Sequence, residues 1–215
     1  MQVIFKISYF YDIISYNIKV GISMEELNKR KLQAENTKSR LVETIIEFLK
    51  TKDLSEVTIR EICKAVNVST GTFYLYFKSK EEAFLYIYHG LDETFNNLNL
   101  TNDTEGNIRL ILDKYYRLMS PTSLDYDRKL YKCHLSHYDS YFFSEERPIF
   151  KVLRHEIENY IKVSNYDWAT WMCLEFTRGR IYNKMIRFTP VTDIWYSDQV
   201  DLTIKYLSFI EKVIQ

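Results

Sequence analysis

The chain has 215 residues, 46% of them hydrophobic and 27% charged, with 5 glycines, 3 prolines and a formal net charge of zero. So few backbone breakers beside that apolar fraction exclude a disordered or fibrous chain and point to a mostly helical globular protein of one large domain or two small ones. No apolar run approaches the ~18 residues of a membrane span, and three dispersed cysteines (Cys63, Cys133, Cys173) make no disulfide framework or CxxC site, which fits a reducing, cytoplasmic setting.

Residues 1–23, MQVIFKISYFYDIISYNIKVGIS, are rich in Ile, Tyr and Phe but interrupted by Lys6, Asp12 and Lys19. They lack the ordered charged region, apolar core and cleavage site of a signal peptide. The segment reads as an extension of open status: an arm, the product of an upstream start codon, or an extra element packed on the body. Residues 25–52 are helical and charged, with Leu41, Ile45, Phe48 and Leu49 on one apolar stripe. Thr58 and Glu61 make a capping box that opens a short helix burying Ile59, Ile62, Cys63 and Val66. Asn67 follows, the non-glycine residue most tolerant of left-handed backbone. Ser69 caps a very short helix running to about Tyr76. Ser79 with Glu82 forms a second box and opens a helix to about Leu98.

The stretch LTNDTEGN then reads as a linker. Five further helices are expected at about 105–119, 122–139, 145–163, 166–188 and 197–214, broken at Pro121, near Pro148 and at Pro190. No stretch alternates with period two, so no sheet is expected. Charge divides along the chain: residues 24–80 carry 11 Lys+Arg against 8 Asp+Glu, and residues 81–215 carry 16 against 20. A basic front and an acidic remainder suit a polyanion partner for the front alone.

Two short helices joined by a tight turn, with a long helix before and another after, form a helix-turn-helix unit. In such units the second helix lies in the DNA major groove and the first crosses the phosphate backbone. That puts VSTGTFYLYFKSKEE (68–82) at the DNA. Thr70 and Thr72 offer hydroxyls to phosphates or base edges, and Thr72 also offers a methyl to thymine. Tyr74 and Tyr76 carry rigid bodies with polar tips suited to phosphate oxygens. Lys80 opens the next helix and is expected on a phosphate. Phe73 and Phe77, four apart, are assigned to the core. Gly71 lies between the threonines on the groove-facing side. It costs about 1 kcal/mol of helix propensity relative to alanine, and any side chain there would hold the backbone off the DNA.

TIREICKAVNVSTGTFYLYFKSKEEAF (58–84) closely resembles the signature of the TetR family of transcriptional regulators, from its Thr-opened helix, with Ile62 and Ala65 in the core, through Val68-Ser69, Gly71-Thr72 and Tyr76-Phe77 to Lys80-Glu81. The resemblance covers about residues 37–98. It implies that Thr58, Arg60, Ser69, Thr70, Gly71, Thr72, Tyr74, Tyr76 and Lys80 occupy DNA-contacting positions. Asn67 and Val66 stand where the family usually has glycine and a small residue. The fold class is therefore all-α: an N-terminal helix-turn-helix DNA-binding domain at 24–80 and a C-terminal helical ligand-binding and dimerisation domain at 81–215.

The last two helices carry two apolar stripes each. In the first, these are Trp171, Leu174, Ile181, Met185 and Phe188, and Met172, Phe176, Gly179, Tyr182 and Ile186. In the last, they are Val200, Ile204, Leu207 and Ile214, and Leu202, Tyr206, Phe209 and Val213. A helix apolar on two faces needs partners on two sides, and a second copy of the chain supplies one. Two-fold symmetry then implies a palindromic double-stranded operator with half-sites one helical turn apart. Aromatic middle helices suit a small-molecule pocket, with Tyr115, Tyr116, His134, His137, Tyr138, Trp168 and Trp171 as candidates. Cys133, His134 and His137 invite a metal reading, but no fourth ligand follows from spacing, so neither metal nor cofactor is expected. No nucleophile–base spacing, phosphate loop or paired carboxylate marks an enzyme. The expected function is a transcriptional repressor released from its operator by a small-molecule effector. The alternative is a ligand-independent architectural DNA-binding dimer.

Overall fold

The structure is a computed structural model and describes residues 26–119, 124–187 and 189–213. The 1–23 extension, the Pro121 break, and Phe188 and Ile214 of the two stripes lie outside these. All regular structure among the described residues is helical. In chain order it comprises α1 (Glu26–Leu49), a 3-10 turn (Leu54–Glu56), α2 (Ile59–Val66), α3 (Thr70–Tyr76), α4 (Lys80–Leu85), α5 (Ile87–Glu93), α6 (Thr104–Met119) and α7 (Leu124–Ser136). A second 3-10 turn (Tyr141–Phe143), α8 (Pro148–Tyr160), α9 (Tyr166–Arg187) and α10 (Asp193–Val213) follow.

The chain forms two units. One takes the described residues of Met1–Leu91 and Arg128–Asp139, the other those of Asp92–Asp127 and Ser140–Gln215. In the first unit α1 buries Leu41, Val42, Ile45 and Leu49, while Phe48 stays half-buried under the ammonium of Lys52. α2 and α4 pack on α1 and α3 packs on α2, and the core buries Ile62, Cys63 and Val66 of α2, Phe73 of α3, Phe77, and Ala83, Phe84 and Leu85 of α4. Ile59 is only half-buried, and Ala65, expected inside, is exposed.

Local chemistry sets these boundaries. The Thr58 hydroxyl accepts from the Glu61 N–H, and the Glu61 carboxylate accepts from the Thr58 N–H at 2.9 Å, so two orphan donors are satisfied reciprocally. At Ser79 half of the expected box forms: its hydroxyl accepts from the Glu82 N–H, but the Glu82 carboxylate reaches one residue further, to the N–H of Lys78. The helix expected to run to Leu98 is interrupted at Tyr86 and stops at Glu93. Beyond it, the N–H groups of Phe95 and Asn96 bond three residues back, to Asp92 and Glu93. The Asn96 side chain also bonds the Glu93 carboxylate at 2.7 Å. Asparagines compete for local hydrogen bonds in this way and unwind a helix end.

In the second unit α6, α8, α9 and α10 pack in a ring, α6 on α8, α8 on α9, α9 on α10 and α10 on α6. Pro148, expected as a break, is instead the first residue of α8, where its missing N–H costs nothing. α10 starts earlier than expected because Thr192 caps it: the Trp195 N–H donates to the Thr192 hydroxyl at 3.1 Å. Several buried polar groups pair with one another among the unit's apolar side chains. Asn107 Nδ2 donates to the buried Glu156 carboxylate at 3.0 Å and to the Thr101 carbonyl at 2.8 Å. Lys184 meets Asp127 at 2.8 Å, and Arg147 grips Asp92 through Nε and a terminal nitrogen at 2.5 and 2.9 Å.

Candidate nucleic-acid interface

The turn between α2 and α3 is fixed by backbone conformation. Asn67 adopts φ 58°, ψ 50°, the one non-glycine residue with positive φ among the described residues. Its N–H bonds to the Lys64 carbonyl at 3.2 Å, and the Val68 N–H reaches the Cys63 carbonyl at 3.0 Å, the paired closure of a Schellman end. From α1, the Arg40 guanidinium donates to the Val66 carbonyl at 2.8 Å, placing a cation at the negative end of α2. α3 then starts on Ser69, whose hydroxyl accepts from the Thr72 N–H at 3.0 Å.

α3 has 7 residues and buries one, Phe73, with Phe77 following it into the core. The rings of the two lie 5.8 Å apart, and Tyr74 packs edge-on to Phe73 at 5.7 Å. Thr70, Gly71, Tyr74 and Leu75 face outward, Tyr74 at 58% exposure and Leu75 at 80%. Thr72 and Tyr76 are half-exposed. The Thr72 hydroxyl lies 2.9 Å from that of Ser69, so the two act as a pair. A Cβ on Gly71 would meet only the Ser69 hydroxyl, at 3.5 Å, an ordinary contact. Nothing inside the fold requires glycine there.

Lys80 is placed differently from the expectation of a phosphate contact. Its ammonium donates to the carbonyls of Leu54 at 2.5 Å, Val57 at 2.6 Å and Ser55 at 3.3 Å. Its three protons are spent on the segment that launches α2. On that helix Thr58 and Arg60 are exposed. Arg60, Lys64 and Lys78 have no ion-pair partner among the described residues. Arg60 and Lys64 are four apart and so share a face of α2.

Sequence reasoning missed Lys64, Lys78 and Leu75, and it missed Glu35 and Lys38. The Glu35 carboxylate accepts from the Tyr86 hydroxyl at 3.0 Å and pairs with Lys38 at 2.7 Å; the Lys38 ammonium lies 5.9 Å from the Tyr76 ring. This cluster ties α1 to the ends of α3 and α4. No local signal announced it, because the partners are far apart in the chain.

The seven candidate pocket residues are distributed rather than gathered. Tyr115 and Tyr116 are buried in the second unit, where the Tyr116 hydroxyl meets that of Thr203 at 2.8 Å. Burial raises the Tyr116 pKa. The Tyr115 hydroxyl is buried with no hydrogen-bond partner. Trp171 of α9 is half-buried and donates to Glu145 at 3.2 Å, and Trp168 is exposed. His134, His137 and Tyr138 belong to the first unit: His134 packs on Tyr88, while His137 and Tyr138 are exposed. Cys133 is buried with its Sγ 3.9 Å from the Glu81 carbonyl, and burial pushes its thiol up to about 12. Among the described residues no group of three or more His, Cys, Asp or Glu side chains is placed to hold a metal ion, and no helix is long and apolar enough to cross a membrane.

A capped helix, an αL turn and a short helix that faces its hydroxyls, a glycine and a tyrosine outward define a DNA-binding helix-turn-helix module. Residues 41–87 match the family model for bacterial regulatory proteins of the tetR family. The fold is similar to that of a TetR transcriptional regulator from Rhodococcus sp. RHA1, with TM-score 0.57 and 16% identity over 80% of this chain and 96% of that one. It is similar to the flavonoid-responsive regulator FrrA, with TM-score 0.52 and 18% identity over 80% and 95%. It is also similar to a TetR transcription regulator from Haloarcula marismortui ATCC 43049, with TM-score 0.51 and 15% identity over 84% and 98%. No curated protein matches the chain in sequence. Residues 41–87 thus carry the DNA-binding domain of the tetR family of bacterial regulatory proteins, in a chain whose fold is similar to that of TetR regulators.

Proposed function

We propose that this regulator is a homodimeric repressor that binds a palindromic operator through α3 and is released by a small-molecule effector. The observation that carries the reading is the division of α3. Phe73 is buried, while Thr70, Gly71 and Tyr74 face outward and Thr72 is half-exposed. These residues, with Ser69 and Tyr76, read and position the DNA. Thr58, Arg60 and Lys64 on the exposed side of α2 engage the phosphates that the first helix of such a unit crosses. Lys80 acts indirectly, by holding residues 54–57 and with them the start of α2.

A second copy of the chain completes the assembly. In the second unit Tyr182 and Ile186 of α9 and Leu202, Phe209 and Val213 of α10 are exposed, and a methyl added to Gly179 would meet nothing within 4 Å. Phe176 and Tyr206 stack at 4.4 Å between these stripes and join them into one face. A homodimer formed by covering that face with its two-fold copy suits a palindromic operator, in which half-sites lie about 34–36 Å apart. The partnerless buried hydroxyl of Tyr115 supports an effector site in the second unit, since a ligand's polar atom there relieves an unmet hydrogen bond.

The test is selection of duplexes from a randomised library by the purified protein. A palindrome should emerge, and the Thr72→Ala, Tyr74→Ala double variant should lose it. Phe209→Glu should yield a monomer in sedimentation and weaken palindrome binding. A screen of aromatic and lipophilic compounds against the selected complex then separates the readings. Release by any of them supports the effector-controlled repressor; a complex that none perturbs supports the architectural dimer. Equal binding by wild type and the double variant would remove α3 from the interface.

A further inference from the structure

Leu75 occupies a position that its chemistry makes informative. Successive helical residues are rotated by about 100°. Gly71 and Leu75 each lie two residues from the buried Phe73, so both point about 160° away from it, on the outermost line of α3. Thr72 and Tyr74 flank that line at about 100°. Exposure agrees: Leu75 is 80% exposed, the most exposed large apolar side chain on this helix. A lone exposed leucine elsewhere on a surface is ordinary. Here it sits in the centre of the face that meets the groove, with polar residues on both sides.

Helical side chains lean back toward the N-terminus, so Leu75 lies over the turn that contains Gly71, its i−4 neighbour. Gly71 offers no competing side chain, and a Cβ there would have met no steric objection from the protein. The pair thus makes one apolar surface, glycine backbone beside isobutyl group, along the outermost line of the recognition helix. In the major groove, thymine alone presents a methyl group; the other base edges present donors and acceptors that a leucine would desolvate without replacing.

We propose that Leu75 selects a T·A base pair in each half-site by packing on the thymine 5-methyl group. The inference rests on α3 lying in the major groove and adds to it a specificity-determining residue and the base it selects. Discrimination is two-sided: a methyl contact for thymine, and stranded polar groups for its competitors.

The test uses the operator selected by the wild-type chain, with each thymine replaced in turn by deoxyuridine, which removes the methyl and nothing else. One thymine per half-site should respond, with wild-type affinity falling roughly fourfold for each half-site altered, the worth of one buried methyl. Leu75→Ala should bind the thymine operator more weakly and be indifferent to deoxyuridine at that position. Leu75→Gln should move the preference at that pair toward adenine. Circular dichroism and thermal melting of both variants should match wild type, since the side chain supports no packing. A flat deoxyuridine series on a recovered palindrome, or equal sensitivity in wild type and Leu75→Ala, overturns the proposal while leaving the groove assignment intact. Failure to recover any palindrome overturns both.

Discussion

The ammonium of Lys80 lies 2.6 Å from the carbonyl oxygen of Val57 and 2.5 Å from that of Leu54, so the first residue of α4 holds the segment that leads into α2. A lysine committed in this way contributes to DNA binding by position and not by charge on a phosphate. Lys80→Met should therefore weaken operator binding without altering its salt dependence. Loss of a phosphate contact would instead flatten the slope of log K against log salt by about one unit per subunit. Fluorescence anisotropy across a salt series distinguishes the two, and Arg60→Met in the same assay should flatten the slope.

Gly71 makes the opposite case, a residue whose cost has no return inside the chain. Its backbone is helical, not left-handed, and a Cβ meets only a van der Waals neighbour. Gly71→Leu should raise thermal stability, by up to about 1 kcal/mol from helix propensity. Operator binding should fall to the non-specific level, about 10³-fold or more. Melting and gel shift on one preparation suffice. A destabilised variant, or one that still binds the operator, removes the close-approach argument.

Local rules carried the helix-turn-helix because its determinants are local. Thr58 and Glu61 are three apart, Phe73 and Phe77 four apart, and the αL residue is the asparagine that tolerates it. What the sequence hid is long-range or depends on direction. Lys80 looked like a phosphate ligand because its residue type and helix position fit; the carbonyls that occupy it come from residues 54–57, more than twenty positions away. The aromatic list behaved likewise. Helical spacing marks Tyr115, Trp168 and Tyr138 equally as aromatic faces, yet one is buried and two are exposed, because burial depends on which neighbour covers the face.

Asn67 sets the angle between α2 and α3 through its left-handed backbone. Asn67→Gly should be tolerated, since glycine takes this conformation freely and is the residue most common at such helix ends. Asn67→Val should cost about 1–2 kcal/mol or more, because a β-branched side chain clashes with the carbonyl in the left-handed region. Denaturant melts of the two variants should differ by that amount, and equal stabilities would show that the turn adapts.

Glu61 gives the interface an acid limb. Hydrogen bonds from the Thr58 hydroxyl and N–H, and then from Lys52, hold its carboxyl down to about 2 from an ordinary value of 4.5. A folded-state pKa below the unfolded one stabilises the fold above the unfolded value, and that contribution is lost as pH falls toward the folded one. Wild type should exceed Glu61→Gln in melting temperature at pH 7, and the gap should close progressively between about pH 5 and pH 2. Carboxylates elsewhere titrate in both proteins and cancel in the difference. A gap independent of pH would mean that the capping box acts through geometry alone.

The buried pair of Arg147 and Asp92 tests how the second unit is held. Both side chains are almost wholly inaccessible, their two hydrogen bonds are bidentate, and a third guanidinium nitrogen donates to the Phe142 carbonyl at 2.8 Å. Phe142 also lies under the guanidinium, its ring centroid 4.9 Å away. Removing one partner leaves the other charge buried and unpaired, so Asp92→Ala and Arg147→Met should each destabilise by about 3–5 kcal/mol. Removing both charges while keeping volume has a different sign of argument, because the desolvation penalty of two ions disappears with their attraction. Asp92→Leu combined with Arg147→Met should therefore recover most of the loss suffered by either single change. Chemical denaturation of the three variants reads this directly. If the double variant is as unstable as the sum of the singles, the coupling between the two charges is zero and the argument from an unpaired buried charge fails.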